Sequence, residues 1–151
     1  MKVTPSKQRI YSAILGLGAF ILLFRTMRFL LVENALITHT WWVIALTFLE
    51  ASLDLSCLVF CIPWFISNDK SKDSLPLFFG AVAAILHAAR VLIYALGRTG
   101  LWLNFDIKPE YHAQISSDRF WVYFAAVLSV LGVAGVLLIW RLRKIAKKKK
   151  D

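Results

Sequence analysis

Residues 41–66 read WWVIALTFLEASLDLSCLVFCIPWFI, an apolar run of 26 residues broken by two carboxylates, Glu50 and Asp54. A run of this length exceeds the ~20 residues that cross a bilayer as a helix. Working outward, three further runs of similar character occupy about 10–32, 75–96 and 120–140. Hydrocarbon leaves the backbone only helices or closed barrels, and no alternating ten-residue pattern supports a barrel. The expectation is an all-α, four-helix transmembrane bundle, with residues 1–9 before it and a basic tail, 141–151, after it. The composition agrees. The 151 residues are 59% hydrophobic and 18% charged, against about 45–50% and 25% in soluble domains. Disorder, a disulfide scaffold and an ordinary soluble enzyme are thereby excluded. The first span is too long for a cleavable signal peptide and has no small-residue cleavage site behind it.

The connections carry basic residues unevenly. Lys2, Lys7 and Arg9, then Lys70 and Lys72, then Arg141, Arg143, Lys144 and Lys147 to Lys150 fall on one side. Arg98, Lys108 and Arg119 fall on the other, and residues 33–40 hold neither Lys nor Arg. The asymmetry places both termini in the cytosol. It also explains the net charge of +9 as a solvated membrane flank, so nucleic acid is not an expected partner. Lys148 and Lys149 stand four and three places from the carboxyl end, matching the dilysine retrieval signal of endoplasmic reticulum membrane proteins, a receptor-read address.

Ionisable residues inside spans are costly and mark function by default. Span one holds Arg25 and Arg28, with Glu33 at its far end; span two holds Glu50 and Asp54; span three holds His87 and Arg90. At about 1.5 Å of rise per residue, Arg25, Glu50, Asp54, His87 and Arg90 lie within roughly 6 Å of the bilayer centre. Glu50, Asp54, Cys57 and Cys61 follow a 4, 3, 4 spacing that keeps them on one helical stripe, and His87, Arg90 and Tyr94 do the same. The expectation is a polar pocket in the non-cytoplasmic half, framed by Trp42 and Trp121. Such a set also satisfies a purely structural reading, since three arginines against three carboxylates make a neutral network that fixes helix packing. Cys57 and Cys61 read as small apolar fillers. No close His/Cys pair supports a metal site. Small residues on span four (Ala125, Ser129, Gly132, Gly135) allow close helix contact within the bundle or in a homodimer.

Several local features resemble the EXPERA domain, the four-span module of emopamil-binding sterol isomerases and sigma-type intracellular receptors. Trp42 is followed by Glu50 and Asp54, Pro63-Trp64 closes span two, and His87 is central in span three. Phe120-Trp121-Val122-Tyr123-Phe124 opens span four. The chain departs from that pattern in span one, where Arg25 and Glu33 replace a polar group followed by an acid. It departs again in span four, where Ala125 to Leu131 lacks the isomerases' asparagine and tryptophan. The resemblance implies an endoplasmic reticulum protein handling a sterol or isoprenoid lipid without a cofactor. As an isomerase or cyclase, Glu50 would be the acid and Asp54 or His87 would receive the proton. Trp42 or Trp121 would face a cationic intermediate. As a non-catalytic receptor or carrier, Arg25, Arg28, Glu33, Arg90 and Tyr94 would instead hold the lipid's head.

Overall fold

In a computed structural model of the chain, residues 5–98, 105–112, 126–127, 129–134, 136–137 and 140–141 are described. Helix α1 spans Pro5–Leu31, the short α2 Ala35–Thr38, α3 Trp41–Ser67 and α4 Ser74–Arg98, with 3-10 turns at Lys70–Lys72 and Pro109–Tyr111. Three of these helices are long and apolar enough to cross a membrane. They coincide with the first three spans expected from sequence. The fourth expected span, 120–140, lies largely outside the described residues. Of it, 126–127, 129–134, 136–137 and 140 are helical.

The helices are inside out by the standard of a soluble bundle. Along α1 the buried positions are Gln8, Ser12, Gly16, Ala19, Thr26 and Leu30, a stripe at helical spacing. Its exposed positions include Ile10, Ile14, Leu17, Phe20, Phe24 and Leu31. Lipid tails are as apolar as leucine, so nothing drives these large side chains inward; close packing and interhelical hydrogen bonds hold the helices together instead. Helix α3 is the centre, packed on α1 along one face and on α4 along another, with little contact between α1 and α4.

Both contacts are antiparallel and both rely on small or polar residues. The Ser12 hydroxyl donates to the Cys61 carbonyl at 2.8 Å, and the Trp64 indole donates to Gln8 Oε1 at 3.0 Å. Across α3 and α4, the Cys57 thiol donates to the Pro76 carbonyl at 3.4 Å, and Phe60 stacks on Phe79 with ring centres 5.5 Å apart. Gly80 sits where all three helices meet: a Cβ there would lie 3.1 Å from Leu15 and 3.2 Å from Cys57 Sγ. The cysteines are free and buried, in keeping with their reading as fillers.

The turns are set by local chemistry. Asn34 and Asn68 occupy the left-handed region (φ 53° and 54°), which asparagine tolerates better than most residues. Asn68 ends α3, its backbone N–H bonding the Trp64 carbonyl. Asp69 caps the Lys70–Lys72 turn through both the backbone N–H and the hydroxyl of Ser71. The Ser71 side-chain bond, then its backbone bond, hold the Asp69 carboxyl below its ordinary range.

At the opposite end of the bundle, two loops are strapped together. Thr40 N–H donates to the Asp106 carbonyl at 3.0 Å, and Lys108 N–H to the Thr38 carbonyl at 2.9 Å. His39 and Ile107 face each other as an isolated antiparallel bridge. The strap covers the end of α4 at Gly97, where a Cβ would stand 3.0 Å from the Asp106 carboxylate. The absence of that carbon lets the carboxylate pack against the helix end.

Candidate functional site

The stripe 50, 54, 57, 61 of α3 is buried as its spacing predicts; Glu50 and Cys57 face α4, while Cys61 lies against Gly16 of α1. At the depth where the stripe turns ionisable, α4 presents His87, Arg90 and Tyr94. Glu50 is 1% exposed, Asp54 3%, Arg90 5% and His87 7%. Arg90 organises the group. Its Nε lies 2.7 and 2.9 Å from the two Glu50 oxygens, Nη1 is 3.4 Å from the Tyr94 hydroxyl, and Nη2 is 3.4 Å from His87 Nδ1. A guanidinium can only donate. Toward Arg90 the His87 Nδ1 can only accept, and toward Glu50 it can only donate. The same Nδ1 stands 3.6 Å from Glu50. The Arg90 guanidinium also lies 5.2 Å from the Phe29 ring centre and 5.4 Å from that of Tyr94, within the range of cation–π attraction. In lipid a charged side chain without such partners would cost several kcal/mol, so each of these contacts counts.

Asp54 is different. It lies one turn along α3 from Glu50, and among the described residues it makes neither a hydrogen bond nor an ion pair. One guanidinium thus faces two carboxyl groups, and Glu50 takes its Nε.

Of the ten residues singled out from sequence, five come together here: Glu50, Asp54, His87, Arg90 and Tyr94. Arg25, Arg28 and Glu33 do not. Arg25 is exposed, and Arg28 pairs with Glu33 at 4.0 Å with both side chains more than half exposed. The expected neutral set of three arginines and three carboxylates therefore reduces to one arginine and two. The reason is register. The buried stripe of α1 runs through Ala19, Thr26 and Leu30, which turns residues 25 and 28 outward. Trp42 is half-buried and stacks on Phe105, ring centres 5.7 Å apart and planes 13° apart, over the start of α3. Trp121 lies outside the described residues.

A second buried ionisable pair was not anticipated. His39 Nε2 and Asp106 Oδ2 are 4.0 Å apart, with side chains 9% and 0% exposed. Phe29 and Tyr94 surround the His39 ring at 5.0 and 6.0 Å between centres. Tyr94 therefore touches both groups, joining the strap pair to Arg90. Nothing in the spacing of a histidine before span two and an aspartate in the third loop links them, since the loops meet only in three dimensions.

The side chains of the polar cluster are buried. A cavity of about 630 Å³ lies elsewhere, between α4 and the segment around residue 137, lined by apolar side chains that include Leu15, Phe78, Val82, Ile85, Leu137 and Trp140. It occupies the half of α4 that begins at Ser74, away from Arg90. No residue of the Glu50–Arg90 cluster lines it. The ionisable network and this apolar cavity are thus separate features. Among the described residues no group of three or more His, Cys, Asp and Glu side chains is placed to hold a metal ion. No family model, no curated protein and no solved structure matches the chain.

Proposed function

We propose that this chain is a four-span membrane protein of the endoplasmic reticulum, EXPERA-like in architecture, with both termini in the cytosol, that binds a sterol, an isoprenoid or a similar apolar lipid. The observation that carries the reading is the cavity of about 630 Å³ with its almost wholly apolar lining. That volume is within the ~300–1,000 Å³ of small-molecule sites. Its flank on α4 would let a hydrocarbon enter sideways from the bilayer. Binding is favoured over catalysis because Glu50, the intended proton donor, has both oxygens bonded to Arg90. A carboxylate so engaged would have to break that pair to carry a proton, and no Glu50, Asp54 or His87 atom borders the cavity. In this reading Glu50, His87, Arg90 and Tyr94 fix the packing of α3 on α4 and so hold the cavity wall in shape. Lipid retained by the purified protein, compared with a Val82→Trp variant that fills the cavity, tests the proposal.

A second reading keeps acid–base chemistry on an isoprenoid or sterol double bond. The observation in its favour is Asp54, a buried carboxyl with no hydrogen-bond or ion-pair partner among the described residues. Here Asp54 would take the donor role first given to Glu50, His87 would receive the proton, and no cofactor would be needed. Product formation by the wild type that disappears in Asp54→Asn, with the fold intact, would establish it.

A further inference from the structure

From the polar side chains that α1, α3 and α4 bring together one turn away from the Arg90–Glu50 pair, we infer an intramembrane proton-binding site. Asp54 holds one proton there as a neutral carboxylic acid, in a layer shared with Thr26 and His87.

The layer follows from register. Arg90 marks one edge of it, with Glu50 of α3 on its Nε and the Phe29 ring of α1 centred 5.2 Å from its guanidinium. From these three residues, the next polar position is Asp54, four residues along α3, Thr26, three back along α1, and His87, three back along α4. Steps of three and four residues advance about 4.5 and 6 Å. Because α3 runs antiparallel to both neighbours, all three steps lead toward the same end of the bundle. Thr26 is 1% exposed, Asp54 3% and His87 7%. Among the described residues the Thr26 hydroxyl has no hydrogen-bond partner, and the Asp54 carboxyl makes neither a hydrogen bond nor an ion pair. Two polar side chains on facing helices are thus deeply buried and unsatisfied in one layer, which is rare in packed interiors.

Charge counting assigns the proton. Arg90 and Glu50 cancel, with Nε 2.7 Å from Oε1. An ionised Asp54 would leave one negative charge buried and unpaired, and a group in that position takes up a proton instead. Glu50, four residues away on the same helical stripe, adds like-charge repulsion. The other place for the proton is His87, but an imidazolium there would stand a second cation 3.4 Å from Arg90 Nη2. The charged and titratable groups around Asp54 are therefore Glu50 on its own helix and Arg90 and His87 on α4. Helix α1 contributes only the Thr26 hydroxyl, since Arg25 and Arg28 are turned outward. Loss of the proton would set a second carboxylate against Glu50 for one guanidinium, so occupancy of the site is coupled to the contact of α3 with α4. This inference does not depend on what the cavity binds, or on whether the proton is ever passed to a lipid.

The test is infrared spectroscopy of the full chain at neutral pH in a detergent without ester groups, with and without 13C-labelled aspartate. The wild type should show the carbonyl stretch of a protonated carboxyl that moves on aspartate labelling. Asp54→Asn should remove one carboxyl's worth of that band, whereas Asp106→Asn, at the other deeply buried aspartate of the strap, should leave that component in place. Asparagine has the shape of the neutral acid and no charge, so Asp54→Asn should also keep the wild-type melting temperature to within a few degrees. A wild type without the aspartic acid band, a band unchanged in Asp54→Asn, or an Asp54→Asn protein that no longer folds would each overturn the site.

Discussion

The Arg90 guanidinium reaches across from α4 to place its Nε 2.7 and 2.9 Å from the two oxygens of Glu50 on α3, with both side chains removed from solvent. The pair ties the two helices together at the depth where α3 also carries Asp54. A carboxylate at that depth without Arg90, or the guanidinium without Glu50, would be an isolated charge among apolar side chains and lipid.

Breaking either half should therefore be costly. Glu50→Gln and Arg90→Met are each expected to lower stability by about 3–5 kcal/mol, the usual cost of leaving a buried charge without its partner. The double variant Glu50→Leu with Arg90→Met should recover most of that loss, because the cost is the orphaned charge rather than the absent bond. Reversible unfolding in mixed micelles measures all three. Additive losses in the double variant would show that the two residues act independently.

The three-helix junction gives a second expectation. Gly80→Leu introduces a side chain where even one carbon would come within 3.2 Å of Leu15 and Cys57. Overfilling a packed site typically costs about 1–3 kcal/mol, and here the strain falls on the contacts of α1 and α4 with α3 at once. Thermal unfolding of the variant should show the loss. A wild-type melting curve would mean that α1 shifts away freely.

The spans were legible in the sequence because bilayer thickness sets the length of an apolar helix, and three of the expected segments agree with α1, α3 and α4 to within about five residues. The face of α3 was legible too, since residues 50, 54, 57 and 61 can share a stripe only if the segment is helical. Arg25 and Arg28 were misplaced for a related reason. In a membrane helix the apolar side chains crowd the outside, so apolar periodicity does not reveal the inner face; small residues such as Gly16 and Ala19 do. His39 and Asp106 were invisible, because a loop–loop contact across 67 positions leaves no periodic trace.

The proposed topology, with both termini in the cytosol, rests on the distribution of Lys and Arg. Tags placed at residues 1 and 151 should remain open to protease in sealed microsomes, while a tag inserted after Glu110, in the loop that carries the strap, should be protected. Lys148→Ser with Lys149→Ser should release the protein to later compartments. A protected C-terminal tag would contradict both the orientation and the retrieval signal, which requires a cytosolic tail.

The apolar cavity beside α4 is proposed to hold a lipid of its own. Mass spectrometry of the protein purified in mild detergent addresses it most directly, with the Val82→Trp variant alongside. The account predicts one sterol- or isoprenoid-sized species retained near one copy per chain by the wild type, and lost from Val82→Trp while the melting temperature stays within a few degrees. A mixture of bulk phospholipids, held equally by both proteins, would contradict it.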